Sequence, residues 1–352
     1  MIKLNSSSRD IKKAAEILKN GGLVAFPTET VYGLGADAFN TNAIARVFEV
    51  KGRPRFDPLI IHIANLDSLE RIASFDNIDS RQRERLFLLV DSFWPGPLTV
   101  VLPKRKEVPD LATAGLPTAA VRFPSNPVAQ ALIALSTGAV AAPSANPFGR
   151  LSPSRAEHVV ETLGNSIDCI IDGGPCSVGV ESTVLELFPD PRILRLGGLS
   201  REQLEGIIGP VAFKEEYGEI KCDRIKSGEQ LAVSSPGMLQ SHYAPGIPLF
   251  LYNTEKMAAI PYNPKEAYLF FSGKNRDAWL ERTNVLQLSG NCRTDNIYTL
   301  SKTGSITEAA ANLFQFLHIV DKSGFSCIHA ETVPGEGIGE AINDRLRRAA
   351  AK

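Results

Sequence analysis

Three observations predict a two-part α/β protein. Short apolar runs rich in Val, Ile and Leu alternate with segments of helical periodicity. The chain has 352 residues, more than a single core usually organises. Residues 208–243 show little periodicity and separate a longer block of alternating elements from a shorter one. The expected units are therefore residues 1–207, a connecting segment 208–243 and residues 244–352.

The elements follow in order. Ser8 is placed to cap a first helix in which Ile11, Ala14, Ala15, Ile17 and Leu18 share a face, and Gly21 and Gly22 stop it. LVAF (23–26) reads as a buried strand, and TNAIARVFEVKG (41–52) as an amphipathic helix ending at Lys51 and Gly52. Strands are expected at 59–63, 98–102, 119–123, 139–142, 168–171, 183–187 and 192–196, and helices at 80–92, 126–136, 154–163 and 200–207. The second block offers strands at 248–253, 267–271, 284–288 and 325–330, with helices at 306–321 and 339–350. Spacing alone leaves open whether the sheets are parallel or mixed.

Composition narrows the function classes. Hydrophobic residues make up 43% and charged residues 22%, as in ordinary globular domains, and the formal net charge is −1. A protein whose main partner is a nucleic-acid backbone carries a basic excess, so any cationic patch here must be local. The five cysteines contain no CxxC pair, which predicts neither a metal knuckle nor a disulfide framework. No apolar run has the length of a membrane span, and the first residues do not read as a signal peptide. The expected compartment is the cytoplasm.

Candidate chemistry collects at strand ends. No Walker A loop is present, and GEGIGEAINDRL (335–346) reads as a tight turn before a helix, since Glu336 and Glu340 would repel an anion. FPTETVYGLGADA (26–38) places Thr28 and Thr30 directly after a strand, either as a polar turn or as part of a ligand pocket, and Gly33 and Gly35 break the segment that follows. KGRPRFDPL (51–59) crowds Lys51, Arg53 and Arg55 together. A helix C-terminus accounts for Lys51, whereas arginines flanking a proline suit phosphate oxygens. His62 alternates with Ile61 and Ile63 and so faces the opposite side of its strand. Arg122 sits inside an apolar strand and needs an anion, either a structural carboxylate or a ligand. Ser144, Asn146 and Ser152 lie among prolines and glycines. Gly173, Gly174, Gly179, Ser182 and Thr183 repeat that device, and Arg195 ends another strand. Polar and cationic groups at many strand ends of one sheet are the pattern of a ligand cleft.

PTETVYGLG, KGRP followed by PL, AVRFP, APSAN, ESTV and LRLGG, in that order, resemble the YrdC-like family and within it the threonylcarbamoyl-AMP synthases. SPGMLQSHYAP before a small α/β block resembles the long form. The resemblance implies a twisted mixed sheet flanked by helices around a deep cationic cleft, plus a small Rossmann-like C-terminal domain. It implies synthesis of threonylcarbamoyl-adenylate and pyrophosphate from L-threonine, bicarbonate and ATP, with Mg2+ carried on ATP and no protein metal site. A separate transferase complex would pass the group to tRNA, leaving little or no direct tRNA binding here. Lys51 and Arg53 would meet the phosphates and act in catalysis. Asp57, Thr118, Ser144, Ser152, Arg195 and Tyr243 would complete the nucleotide site. Arg122 would take the threonine carboxylate, with Thr30, His62, Ala142 and Ser182 around it. Two departures stand out. Asp57 replaces the family's usual Asn and should weaken nucleotide binding unless a metal or Arg55 offsets it. Gln240 replaces a usual Tyr, whose contact His242 or Tyr243 would make instead. Residues 208–243 are expected to form a lid. The rivals are another carbamoyl-adenylate chemistry and a structured-RNA binding module without catalysis.

Overall fold

The computed structural model describes residues 1–76, 78–213, 243–285 and 295–351. The first domain runs through β1 (Ile2–Asn5), α1 (Ser8–Lys19), β2 (Val24–Phe26), β3 (Gly33–Asp37), α2 (Thr41–Lys51), β4 (Ile60–Ile63), α3 (Ser80–Phe93) and β5 (Leu98–Pro103). It continues with β6 (Thr118–Arg122), α4 (Pro127–Leu135), β7 (Ala139–Ala141), α5 (Ala156–Leu163), β8 (Cys169–Asp172), β9 (Thr183–Glu186), β10 (Arg192–Arg195), α6 (Arg201–Ile208) and β11 (Ala212–Phe213). These strands form one mixed sheet in the order β1-β8-β2-β3-β7-β4-β6-β5-β9-β10-β11.

Local chemistry explains most boundaries. The side chain of Ser7, not Ser8, accepts from the Asp10 N–H and caps α1, one residue earlier than the sequence suggested. Capping boxes start α3 (Asp79 with Gln82) and α6 (Ser200 with Gln203), and Gly52 closes α2 in the left-handed region. Strands β1 and β3 were not expected. The glycines of β3 read as breakers, yet Gly35 is there because a Cβ would come within 2.8 Å of Phe26 and Val140. The connecting segment was expected from 208, but Ile208 ends α6 and β11 extends the first sheet beside β10. The greater part of the expected lid lies outside the described residues.

The second domain holds β12 (Leu249–Tyr252), α7 (Thr254–Ala259), β13 (Ala267–Ser272), α8 (Gly273–Thr283), β14 (Ile297–Ser301), α9 (Ile306–Lys322), β15 (Ile328–Glu331) and α10 (Gly339–Ala350). Its sheet order is β12-β15-β13-β14, and every pairing is parallel. The strand expected at 284–288 begins instead with Asn284, the left-handed C-cap of α8, followed by buried Val285; its remaining residues lie outside those described. β14 supplies the fourth strand. No helix among the described residues is long and apolar enough to cross a membrane.

The domains share a core. Val31, Leu151 and Val180 of the first pack in one cluster with Tyr243, Leu313, Phe314 and Leu317. Gly179 permits this approach, because a Cβ there would stand 2.3 Å from the Ala310 carbonyl oxygen on α9. Gly179, grouped by sequence with the polar loops at the strand ends, serves the interdomain contact.

Candidate active site

Buried Ile60, Val101, Ala120, Val184 and Leu194, from β4, β5, β6, β9 and β10, make an apolar floor. Polar groups gather at its two ends, and one cavity reaches from Thr30, His62 and Arg122 to Arg53, Ser144, Arg195 and Tyr243.

At the first end, β4 and β6 run parallel with His62 opposite Arg122. Arg122 is buried. Its Nη1 donates to Thr30 Oγ1 (2.8 Å) and its Nε to the Gly96 carbonyl (3.2 Å). Its Nη2 lies 2.6 Å from Glu29 Oε1, in an ion pair without good hydrogen-bond alignment. Burial alone would raise the Glu29 pKa, but the charge of Arg122 and the hydrogen bonds to the carboxylate together reverse this and hold the carboxyl below its usual range. Burial, then the Arg122 charge, push His62 down to about 3, so the imidazole is neutral at ordinary pH. Its Nδ1 is buried with no hydrogen-bond partner among the described residues. Ser182 Oγ lies 2.7 Å from Thr99 Oγ1 and accepts from Arg195 Nη2, linking the two ends. The Ala142 N–H is used inside the sheet, donating to the Ile60 carbonyl.

At the second end, Arg53 donates through Nε to the Asp57 carbonyl (3.0 Å) and through Nη2 to the Pro58 carbonyl (2.8 Å). The same Nη2 is 2.9 Å from Asp57 Oδ1. Burial raises the Asp57 pKa, opposed by Arg53, Lys51 and Arg195. The charge of Asp57 is thus met by Arg53 itself, whereas Arg55 is exposed. Lys51 Nζ donates to the carbonyls of Ser144 (2.5 Å) and Asn146. Burial, then the charge of Arg53, depress its pKa well below the usual range. Arg195 donates through Nε and Nη2 to the Ser182 carbonyl.

The second domain completes this end. Ser152 Oγ donates to Glu181 Oε1 (2.5 Å), and Glu181 Oε2 is 2.7 Å from Arg345 Nε. The Arg345 guanidinium sits 4.9 Å over the Tyr243 ring, which also packs on Phe314. Tyr243 adopts φ 63 and is buried, and burial pushes its hydroxyl up to about 12. His318 on α9 meets the Ser152 carbonyl (3.1 Å) and stacks on His158 at 3.9 Å.

Of the expected residues, Thr30, Arg53, His62, Arg122, Ala142, Ser144, Ser182, Arg195 and Tyr243 line one cavity. Lys51, Asp57 and Ser152 do not line it; they hold a loop, pair with Arg53 and clasp Glu181 respectively. Thr118 shares the cleft face of β6 with Ala120 and Arg122 but lies beyond the cavity lining. Thr183 bonds the Leu199 carbonyl. Glu29, Glu181 and Arg345 were missed. The need of buried Arg122 for an anion was the signal for Glu29. Nothing in the local sequence ties Glu181 to a residue in the last helix. Met238, Gln240 and His242 lie outside the described residues.

A family model for Sua5/YciO/YrdC proteins, described as "Telomere recombination", matches residues 16–197. The chain belongs to this family. A second model, described as "Threonylcarbamoyl-AMP synthase, C-terminal domain", matches residues 199–351. Among curated relatives, the threonylcarbamoyl-AMP synthase of Pyrococcus abyssi is 41% identical over 340 residues, spanning 96% of this chain and 93% of its own. That of Bacillus subtilis is 39% identical over 352 residues, spanning 99% and 94%. The crystal structure of Pyrococcus abyssi Sua5 complexed with L-threonine matches with a TM-score of 0.80 at 39% identity, covering 99% of this chain and 97% of that one. This likeness extends across both domains, as expected for a Sua5-type member of the family.

Proposed function

We propose that this chain is a threonylcarbamoyl-AMP synthase. It joins L-threonine, bicarbonate and ATP into threonylcarbamoyl-adenylate, releasing pyrophosphate and water, as the first step of threonylcarbamoyladenosine formation in tRNA. The observation that carries the reading is the division of one cleft into two arginine-bearing ends over an apolar floor: Arg122 with Thr30 and His62, and Arg53 with Arg195 and Ser144. The first end suits an amino-acid carboxylate and the second a triphosphate. Relatives of this length carry the same activity in their names, and one has been crystallised with L-threonine.

In this reading the threonine carboxylate docks on Arg122, which Glu29 holds in place. The threonine amine adds to bicarbonate to give a carbamate, and a carbamate oxygen attacks the α-phosphorus while pyrophosphate leaves. No covalent enzyme intermediate is needed. Catalysis is positioning and charge stabilisation by Arg53 and Arg195 inside the cleft, with Lys51 fixing the loop that presents Ser144. Magnesium enters on ATP. Glu29, Asp57 and Glu181 are each already opposed by an arginine, so the cleft offers no ready carboxylate cage for a resident ion. The product is a labile mixed anhydride, which a separate transferase complex consumes at the tRNA. A net charge of −1 leaves that complex to bind the nucleic acid.

The test is incubation of the full chain with ATP, threonine and bicarbonate. Pyrophosphate release that requires threonine is expected. Release independent of threonine, or none under conditions where a family relative is active, would overturn the proposal.

A further inference from the structure

Outside the cleft, the second domain contains a cluster with no role in the reaction above. Glu266 immediately precedes β13, Cys327 immediately precedes β15, and His329 lies within β15. β13 and β15 pair in parallel with Ala267 opposite Ile328 and Tyr268 opposite His329. Cys327 and His329 are two residues apart on an extended segment and share a face, and the register brings Glu266 to the same point. Cys327 Sγ is 3.6 Å from His329 Nε2, and Glu266 Oε2 is 2.9 Å from the same nitrogen. One ligand atom from each residue lies within 4.8 Å of the other two.

The arrangement is not that of a Cys-His-acid nucleophile. There the thiol and the carboxylate take opposite ring nitrogens. Here both converge on Nε2, and Nδ1 faces the Tyr252 hydroxyl at 3.3 Å. A single proton on Nε2 cannot serve two acceptors well, whereas a cation at the point of convergence meets all three groups. In a tetrahedral zinc site the ligand atoms stand roughly 3.3–3.6 Å apart, so small shifts of the Glu266 side chain suffice. The supporting contacts are also present. Glu266 Oε1 accepts from Asn263 Nδ2 (2.7 Å), and the His329 ring stacks on Tyr268 at 5.2 Å. Such partners fix the tautomer and orientation of metal-ligating groups. Ligation through sulfur takes the thiolate form, so uptake of a cation would displace a proton from Cys327.

We propose that Glu266, Cys327 and His329 form a site for one zinc-class divalent cation, with three protein ligands and a fourth position reached from the side of Glu266. A sulfur, nitrogen and oxygen donor set selects a borderline-soft ion over magnesium or calcium. Glu266 is the most exposed of the three, which leaves that side for water or a small ligand.

The experiment uses the full chain stripped with a chelator, then titrated with Zn2+ against a chromophoric competitor and separately with Co2+. Expected are one equivalent of tightly bound Zn2+ and a near-ultraviolet thiolate-to-cobalt charge-transfer band. Cys327→Ser, which keeps every other cysteine and nearly the same volume, should abolish the band. It should weaken Zn2+ binding by at least about 100-fold, the upper end of what loss of a mere outer-shell partner costs. His329→Gln should weaken binding to the same extent, and Cys176→Ser in the first domain should not. Threonine-dependent pyrophosphate release should survive in Cys327→Ser, which separates failure of this site from failure of the proposed reaction. Absence of the cobalt band in the wild-type chain, or Zn2+ affinity unchanged by Cys327→Ser, overturns the proposal.

Discussion

The two ends of the cleft differ in how their charges are arranged and in which part of the chain completes them. At the Arg122 end, one buried guanidinium faces one ionised carboxylate, Glu29, beside a neutral His62, and every member belongs to the first domain. At the Arg53 end, Arg53 and Arg195 line the cavity with Asp57 as the carboxylate paired to Arg53, while Arg345 is held by both Glu181 and Asp344, and Tyr243, Arg345 and His318 come from beyond the first sheet. A balanced pair fits a zwitterion, and two arginines lining one cavity fit a polyphosphate. One small-molecule pocket is thus self-contained, while the other depends on the docking of the second domain.

The comparison breaks hardest at Arg122. Arg122→Ala leaves Glu29 buried and unpaired, so a stability loss of about 3–5 kcal/mol is expected in urea unfolding. At temperatures where the variant stays folded, the threonine KM should rise far more than the ATP KM. Equal changes in both would mean that the ends are not separate.

Arg345→Leu tests the other end. It strands Glu181, which now bonds Ser152 and Arg345 together. A loss of roughly 3 kcal/mol is expected, with weaker ATP binding but unaltered threonine binding by calorimetry. Threonine affinity falling in step with ATP affinity would show that the first end also needs the second domain.

The joint between the domains gives a smaller, pH-dependent effect. Burial, then the neighbouring His318, hold His158 at about 3, and burial holds His318 at about 4. Both lie below the value near 6.5 of an unfolded histidine. Stability should therefore be complete above about pH 6.5. It should fall as pH drops toward 4, because the unfolded chain binds protons that the folded chain does not. The slope is at most about 1.4 kcal/mol per pH unit for each histidine. His318→Gln should flatten the urea-midpoint profile across that window, and an unchanged slope would assign the acid sensitivity elsewhere.

The smallest change is expected from Asp57→Asn. Arg53 keeps its two carbonyl acceptors, so the guanidinium stays in place. ATP affinity should be unchanged or slightly better, and a clear loss would give the Asp57 carboxylate a positive role of its own.

Much of the cleft was legible in the chain. His62 alternating with isoleucines, Arg122 inside an apolar strand, and Ser144, Ser182 and Arg195 at strand ends each carried a local signal, because strand period and the need to neutralise a buried charge are properties of a few neighbouring residues. The same logic foresaw an anion for Arg122 without naming Glu29. Local pattern misled where glycine was read as a breaker, in β3, and where a strand was started at Asn284. Gly35 answers to the side chains of the strands on either side, and the last turn of α8 ends on Asn284.

What the sequence determined by itself was the α/β alternation, the division into two blocks and the types of charge assembled at the strand ends, all of which follow from propensity, periodicity and burial within short windows. Only the tertiary structure decided which charges neutralise one another. Arg53 meets Asp57 across one turn, but Glu181 meets Arg345 across 164 residues, and Glu266 meets His329 across 63. Such pairings are fixed by sheet register and domain docking, and no local preference of the backbone encodes them.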